Sequence, residues 1–226
     1  MLHLPIYINV LFVFTVIVAI IAGYWMTRSK TFLIITVCWT LLQSAIGMSG
    51  FYHYTQSVPP RLLLFGVFPT LLAIAATFLT SRGQQLLDSM HLQRLTLFHT
   101  IRIPVELVLV MLYHNGLVSE YMTWEGTNFD LFSGVSAPVI GFLAFKNVSY
   151  NKKLLGWWNV ICLMLLLNVV ITAVFALPSP FQKLSFNQPN VAVLYAPYNL
   201  LPTVVVPLVL LAHLAAFRQL YFKRTP

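Results

Sequence analysis

Charge is what this chain has least of. Only 8% of its 226 residues are charged and five of them are acids, whereas a soluble domain carries about a quarter charged residues. Hydrophobic residues make up 59%, and the mean hydropathy is +0.83. A water-solvated globular domain is therefore excluded, and lipid must cover most of the surface. Cysteine is nearly as scarce. Cys38 and Cys162 both fall in apolar runs, so there is neither a disulfide framework nor a Cys-x-x-Cys metal or redox motif. Glycine-rich phosphate loops, a Gly-x-Ser-x-Gly elbow and an aromatic-basic surface are missing too. An enzyme is thus left unsupported, and nucleic acid has nothing to bind despite a net charge of +8. No internal repeat is visible, which weighs against transporters built from inverted repeats.

What the sequence does have is a series of long apolar runs. At about 20 residues per span, they lie at about Ile6 to Thr27, Thr31 to Tyr54, Leu62 to Thr80, Leu97 to Gly116, Asp130 to Phe145, Leu154 to Leu177 and Tyr198 to Leu220. The expected architecture is an all-α transmembrane bundle of seven helices forming one domain over 1–226. Basic residues orient it. With the N-terminus outside, Arg28, Lys30, Arg82, Arg94, Lys146, Lys152, Lys153, Arg218, Lys223 and Arg224 face the cytoplasm, leaving Arg61 and Lys183 outside and Arg102 within a span. A multi-pass protein of a cell membrane, bacterial inner membrane included, is the expected setting. The sequon Asn147-Val-Ser149 then faces inward.

The fourth run is the unusual one. It reads His99-Thr-Ile-Arg102-Ile-Pro104-Val-Glu106 and continues to Tyr113 and His114. At helical spacing His99, Arg102, Glu106 and Tyr113 lie along one face. If the helix enters the hydrocarbon near Leu97, Glu106 sits ~14 Å deep in a ~30 Å core. Ionisable residues there are rare and are usually kept for a task. Arg102 and Glu106, four apart, are expected to pair. The functional expectation is a polar cavity lined by Arg102, Glu106 and Tyr113, with Gln43, Asn199 and His213 as partners, serving a small polar solute or proton movement. The plainer alternative is a structural or partner-binding subunit in which the pair only locks helices.

Other runs carry smaller signals. The second span lines up Thr36, Thr40, Gln43, Gly47, Gly50 and Tyr54, a stripe suited to close helix contact. The fifth puts Asp130, Gly134, Ala137 and Gly141 on one face, with Asn128 or Thr127 as the expected cap. Residues Pro178 to Pro197 form a long proline-containing loop of the kind that often serves as a lid. Prolines 69, 104, 138, 202 and 207 each deprive a carbonyl of its helical donor, so each needs an interior partner or water.

No cofactor is expected on the first reading, and haem b is the alternative. His53 with His114 toward the outer ends, and His99 with His213 toward the inner ends, make the two layers that a haem electron-transfer bundle needs. Histidines hydrogen-bonded to neighbours or water are the plainer account. A single zinc site is disfavoured because these residues are split between two depths.

The topology is that of rhodopsins and G-protein-coupled receptors, but no lysine lies in the seventh span for a retinal Schiff base, and no Asn-Pro-x-x-Tyr is present. Ser49-x-x-x-His53 resembles one element of the membrane zinc hydrolases that include alkaline ceramidases. His213 stands alone where that group has a His-x-x-x-His pair. The runs Ile101-Arg-Ile-Pro-Val-Glu106, Ser179-Pro-Phe-Gln182, Gln188-Pro-Asn190 and Pro207-Leu-Val-Leu-Leu-Ala-His213 resemble an uncharacterised family of small bacterial seven-helix integral membrane proteins. That resemblance implies a membrane location and no activity.

Overall fold

The structure, a computed structural model, describes residues 4–146 and 150–222; the sequon at 147–149 and the basic residues Lys223 and Arg224 lie outside them. Among the described residues the regular structure is helical throughout. Six helices are long and apolar enough to cross a bilayer: α1 (Ile6–Thr27), α2 (Lys30–Met48), α3 (Leu62–Leu79), α5 (Leu92–His114), α7 (Lys152–Phe175) and α8 (Leu201–Phe222). Between them lie the short α4 (Ser81–Ser89) and the apolar α6 (Leu131–Leu143), the latter 13 residues long. The fifth expected span is thus shorter than its neighbours, ~20 Å along its axis.

Helix ends follow local chemistry. Arg28, at φ 54°, closes α1 by donating its N–H to Tyr24 O. Ser29 then caps α2, its hydroxyl accepting from Phe32 N. Thr80 caps α4 and Asn151 caps α7 in the same way. The expected cap of α6 is corrected. Asp130 holds the N-cap position without a side-chain cap bond, and Asn128 Oδ1 instead accepts from Asp130 N at 2.8 Å.

Two helices share a device built around proline. In α3 a π-helical turn, Leu62–Val67, runs into Pro69; in α8 another, Leu201–Val205, runs into Pro207. Proline has no N–H for the carbonyl four residues back, which orphans Phe65 O and Thr203 O. Both receive donors from α2. Gln43 Nε2 donates to Phe65 O at 3.0 Å, and Trp39 Nε1 to Thr203 O at 2.9 Å. One turn of α2 therefore repairs both helices, and no water is needed at either carbonyl. Ahead of Pro104, α5 tightens into a 3-10 turn, His99–Ile101.

Small residues let the helices close. A Cβ on Gly47 would lie 2.6 Å from Asn199 Oδ1, and one on Gly66 only 2.5 Å from Thr203 Cγ2. On α6, Ser133, Gly134, Ala137 and Gly141 form the buried face. Gly134 abuts Ile103, and Gly141 abuts Leu97 of α5.

At one end of the bundle the basic residues converge. Arg94 donates to Trp25 O at 3.2 Å, Lys152 lies 5.0 Å from the Tyr221 ring, and Arg218 clasps Asp88 through Nε and Nη2 at 2.8 and 2.9 Å. At the other end the long loop is bonded down onto the helix ends, unlike a free lid. Val191 and Ala192 donate to Leu117 O, Gln188 Nε2 donates to Tyr113 O and Val118 O, and Asn190 Oδ1 accepts from Ser119 N.

Candidate functional site

The polar centre forms where α5, α6, α7 and α8 meet. His99, Arg102 and Glu106, three and four residues apart on α5, present one buried face. Arg102 is 3% exposed, and what it bonds to decides the character of the site. The expected ion pair with Glu106 is replaced by one with Asp130: Arg102 Nη1 donates to Asp130 Oδ1 and, at 3.4 Å, to Cys162 O. The reason is geometric. Asp130 enters from the N-terminus of α6 and faces the guanidinium end-on, whereas Glu106 lies one turn farther along the same helix.

Arg102 Nη2 reaches His213 Nε2 at 2.7 Å. Arginine only donates, so Nε2 must accept and the proton of this imidazole sits on Nδ1. From there it is donated to Asn159 Oδ1 at 2.5 Å, and Asn159 Nδ2 returns a bond to His213 O at 3.1 Å. One arginine thus fixes the tautomer of a histidine on another helix. His99 stacks on that histidine, ring centroids 4.0 Å apart, with Trp158 edge-on at 5.4 Å.

Glu106 turns the other way. Its Oε1 accepts from Asn128 Nδ2, which also donates to Met122 O at 2.8 Å. Asn128 therefore joins the Glu106 carboxyl to the backbone N–H of Asp130. Four polar atoms of the cluster are buried without a hydrogen-bond partner among the described residues: Arg102 Nε, Glu106 Oε2, and both ring nitrogens of His99. Unpaired polar atoms in so apolar a setting are costly and rare. Beside His99 runs a narrow crevice lined by Thr96, Asn159, Leu92 and Leu220, with no room for a water molecule.

Gln43 and Asn199 belong to a second knot. Gln43 Oε1 accepts from the Tyr52 hydroxyl at 2.6 Å, and Asn199 Nδ2 donates to Gln43 O at 2.8 Å. Asn199 Oδ1 is left without a partner among the described residues. Tyr113, eleven residues past Arg102, is half-buried beside His114 near the far end of α5. Of the six residues expected to line one cavity, Arg102, Glu106 and His213 come together, Gln43 and Asn199 form their own pair, and Tyr113 stands apart.

The four histidines of the haem alternative have other company. His53 lies on the Tyr195 ring at 3.9 Å, and His114 contacts Glu125 at 3.2 Å. His99 and His213 are stacked face to face, whereas axial ligation requires imidazole nitrogens aimed at a metal between them. Among the described residues no three His, Cys, Asp or Glu side chains converge as a metal site.

Asp130, Asn128 and Asn159 were missed as site residues. Asn159 carried the same signal as Arg102, a polar side chain in the body of an apolar helix. Asp130 sits at the positive end of its own helix, where an acid is ordinarily at home and gives no sign of a partner elsewhere.

A family described as Domain of unknown function (DUF8737) matches residues 59–221, well over half of the chain. The matched region contains all of the polar centre and omits α1 and α2. No curated protein and no solved structure matches the chain. The chain belongs to the family with that domain.

Proposed function

We propose that this member of the family is a multi-pass membrane protein that binds and exchanges a proton at the buried centre around Arg102. The observation that carries this reading is the set of unpartnered atoms at Glu106 and His99. They flank Arg102 on the same helix face, and the crevice beside His99 has no room for a water molecule. A carboxyl oxygen and the one bare nitrogen of a neutral imidazole so placed are sites for a proton, the one ligand that needs no cavity. Asn128 leads from Glu106 toward the loop at one end, and the crevice beside His99 leads past Leu92 and Leu220 toward the basic end.

The proposed topology has seven crossings, with α6 as the fifth, and a cytoplasmic basic end. Contacts joining Arg94 to the end of α1 and Asp88 to the end of α8 support it, as does the preference of Lys and Arg for the cytoplasmic side. A cysteine at Lys152 should label only from the cytoplasm and one at Glu125 only from outside. Labelling of both from one side would refute this topology.

Infrared titration of the chain reconstituted in lipid tests the proton reading. The expected result is a carboxyl band that changes with pH and disappears in Glu106→Gln. A spectrum identical in the two proteins at every pH would overturn it. The second reading, a structural lock, is favoured by one observation: Arg102 alone touches groups on α6, α7 and α8. Under that reading Glu106→Gln loses stability and no titrating band.

A further inference from the structure

Away from the polar centre, an open cleft of about 860 Å³ runs between α2, α3, α4 and the first half of α8. That is within the ~300–1,000 Å³ of ordinary ligand sites. We propose that it holds one anionic phospholipid of the surrounding bilayer, its acyl chains along the cleft and its phosphate at Arg82. The proposal rests on the membrane reading above and is independent of the proton centre.

Depth is the first argument. The α2 wall runs from Ser29 at the mouth to Trp39 at the floor, ten residues or ~15 Å, half of a ~30 Å hydrocarbon core. The cleft is therefore one leaflet deep, the length of a single lipid's chains.

Chemistry along the wall is the second. The hydroxyls of Thr36, Thr70, Thr77 and Thr203 are spent on carbonyls three or four residues back in the chain at 2.6–2.9 Å, and the Trp39 indole N–H on Thr203 O. Below the mouth the cleft presents hydrocarbon to an occupant. A polar solute would lose its hydration there without replacement.

The mouth differs. Arg82 lines it and is exposed, with Gln85 and Ser89 beside it, and Arg28 and Lys30 flank Ser29 across the opening. Among the described residues Arg82 has no ion pair. An apolar slot one leaflet deep under a cationic rim has the polarity of an anionic lipid. Charge also argues against a second copy of the chain inserted in the same direction. Of the five acids, Asp88 is held by Arg218, Glu106 and Asp130 are buried, and Glu120 and Glu125 belong to the loop at the opposite end. Only Asp88 lies at the depth of Arg82, and it is engaged by Arg218.

The test uses the full chain in phosphatidylcholine vesicles containing a growing fraction of brominated lipid, with the Trp39 signal taken as the difference between wild type and Trp39→Phe. Brominated phosphatidylglycerol should half-quench that signal at about a fivefold lower fraction than brominated phosphatidylcholine, the preference one arginine supplies at a headgroup. Arg82→Gln should remove the preference and leave quenching, and Ala73→Phe should protect Trp39 from both lipids by filling the slot. Equal quenching by the two lipids in the wild type would overturn the proposal, and so would Trp39 quenched by neither. Flotation of the vesicles separates these outcomes from failure of the membrane reading, since a chain that does not insert does not float with the lipid.

Discussion

The two sides of the bundle bury their helices to opposite degrees. In the most apolar stretches of α5 and α8, 56% and 67% of residues are buried; in α2 and α3 the figures are 11% and 17%. The first side gathers the buried charges Arg102, Glu106 and Asp130 into one cluster. The second side has none and satisfies its spare carbonyls with neutral donors from α2. Buried ions hold a structure only when every partner is present, whereas a neutral donor on a proline-orphaned carbonyl is a local repair. The comparison teaches that integrity is concentrated around Arg102, and that the α2–α3 side is free to stand open.

Breaking the first side should therefore have the largest effect. Arg102→Met leaves Asp130 buried without its cation, which costs about 3–5 kcal/mol. Most of that loss should return in Arg102→Met with Asp130→Asn, because the second change removes the stranded charge. Thermal unfolding in detergent gives both values. A single variant as stable as wild type would show that the cluster does not hold the bundle together. The exchange Arg102→Asp with Asp130→Arg should restore stability under either reading; infrared titration separates them, since a proton centre loses the wild-type Glu106 band on exchange and a lock has no such band to lose.

Close helix contacts come next. Leucine at Gly141 must displace Leu97, since even a Cβ would lie 2.9 Å from Leu97 Cδ2; at Gly66 it meets Thr203 at 2.5 Å. Overpacking of this kind costs about 1–3 kcal/mol. Equal losses at the two positions would show that α3 packs on α8 as tightly as α6 packs on α5, despite the open cleft beside it.

These sites also show what could be read without coordinates. The small-residue faces of α2 and α6 were legible because glycine at helical spacing in an apolar run has one common purpose in a membrane. The face carrying His99, Arg102 and Glu106 was legible for the same periodic reason. What periodicity cannot give is which neighbour each face meets. Glu106 was the local candidate for Arg102, and Asp130 displaced it from 28 residues away, across a loop whose path no helix period encodes. Gln43 is visible as a polar group in an apolar run, but its partner is Phe65 O, the carbonyl that Pro69 vacates on α3, while Asn199, in the turn before α8, donates to Gln43 O. The sequence marks the prolines; only the packing shows that Gln43 faces Phe65 O, vacated by Pro69, and Trp39 faces Thr203 O, vacated by Pro207.

That pairing yields a smaller effect with a sharp signature. Gln43→Leu leaves Phe65 O without its donor and costs about 1–3 kcal/mol. In a Pro69→Ala background the restored N–H can take Phe65 O, so the same Gln43→Leu change should cost clearly less. Unfolding of the four proteins of this cycle gives a coupling energy between Gln43 and Pro69. A coupling of zero would mean that Gln43 is held by Tyr52 alone, and that the carbonyl left by Pro69 has another remedy.

The smallest effect is expected inside the cleft. Ala73 lines the slot and is exposed to it, so a leucine there extends into space that lipid occupies in the membrane. Hydrocarbon then replaces hydrocarbon, and the change in stability should stay within about 0.5 kcal/mol, as for substitutions away from packed contacts. The same added side chain at Gly141 should destabilise markedly, which makes the pair a matched measurement of the two sides. If Ala73→Leu were as damaging as Gly141→Leu, the α2 and α3 walls would have to be in contact in the working protein. The cleft would then be closed, and the contrast between a packed polar half and an open lipid-facing half would fail at its clearest point.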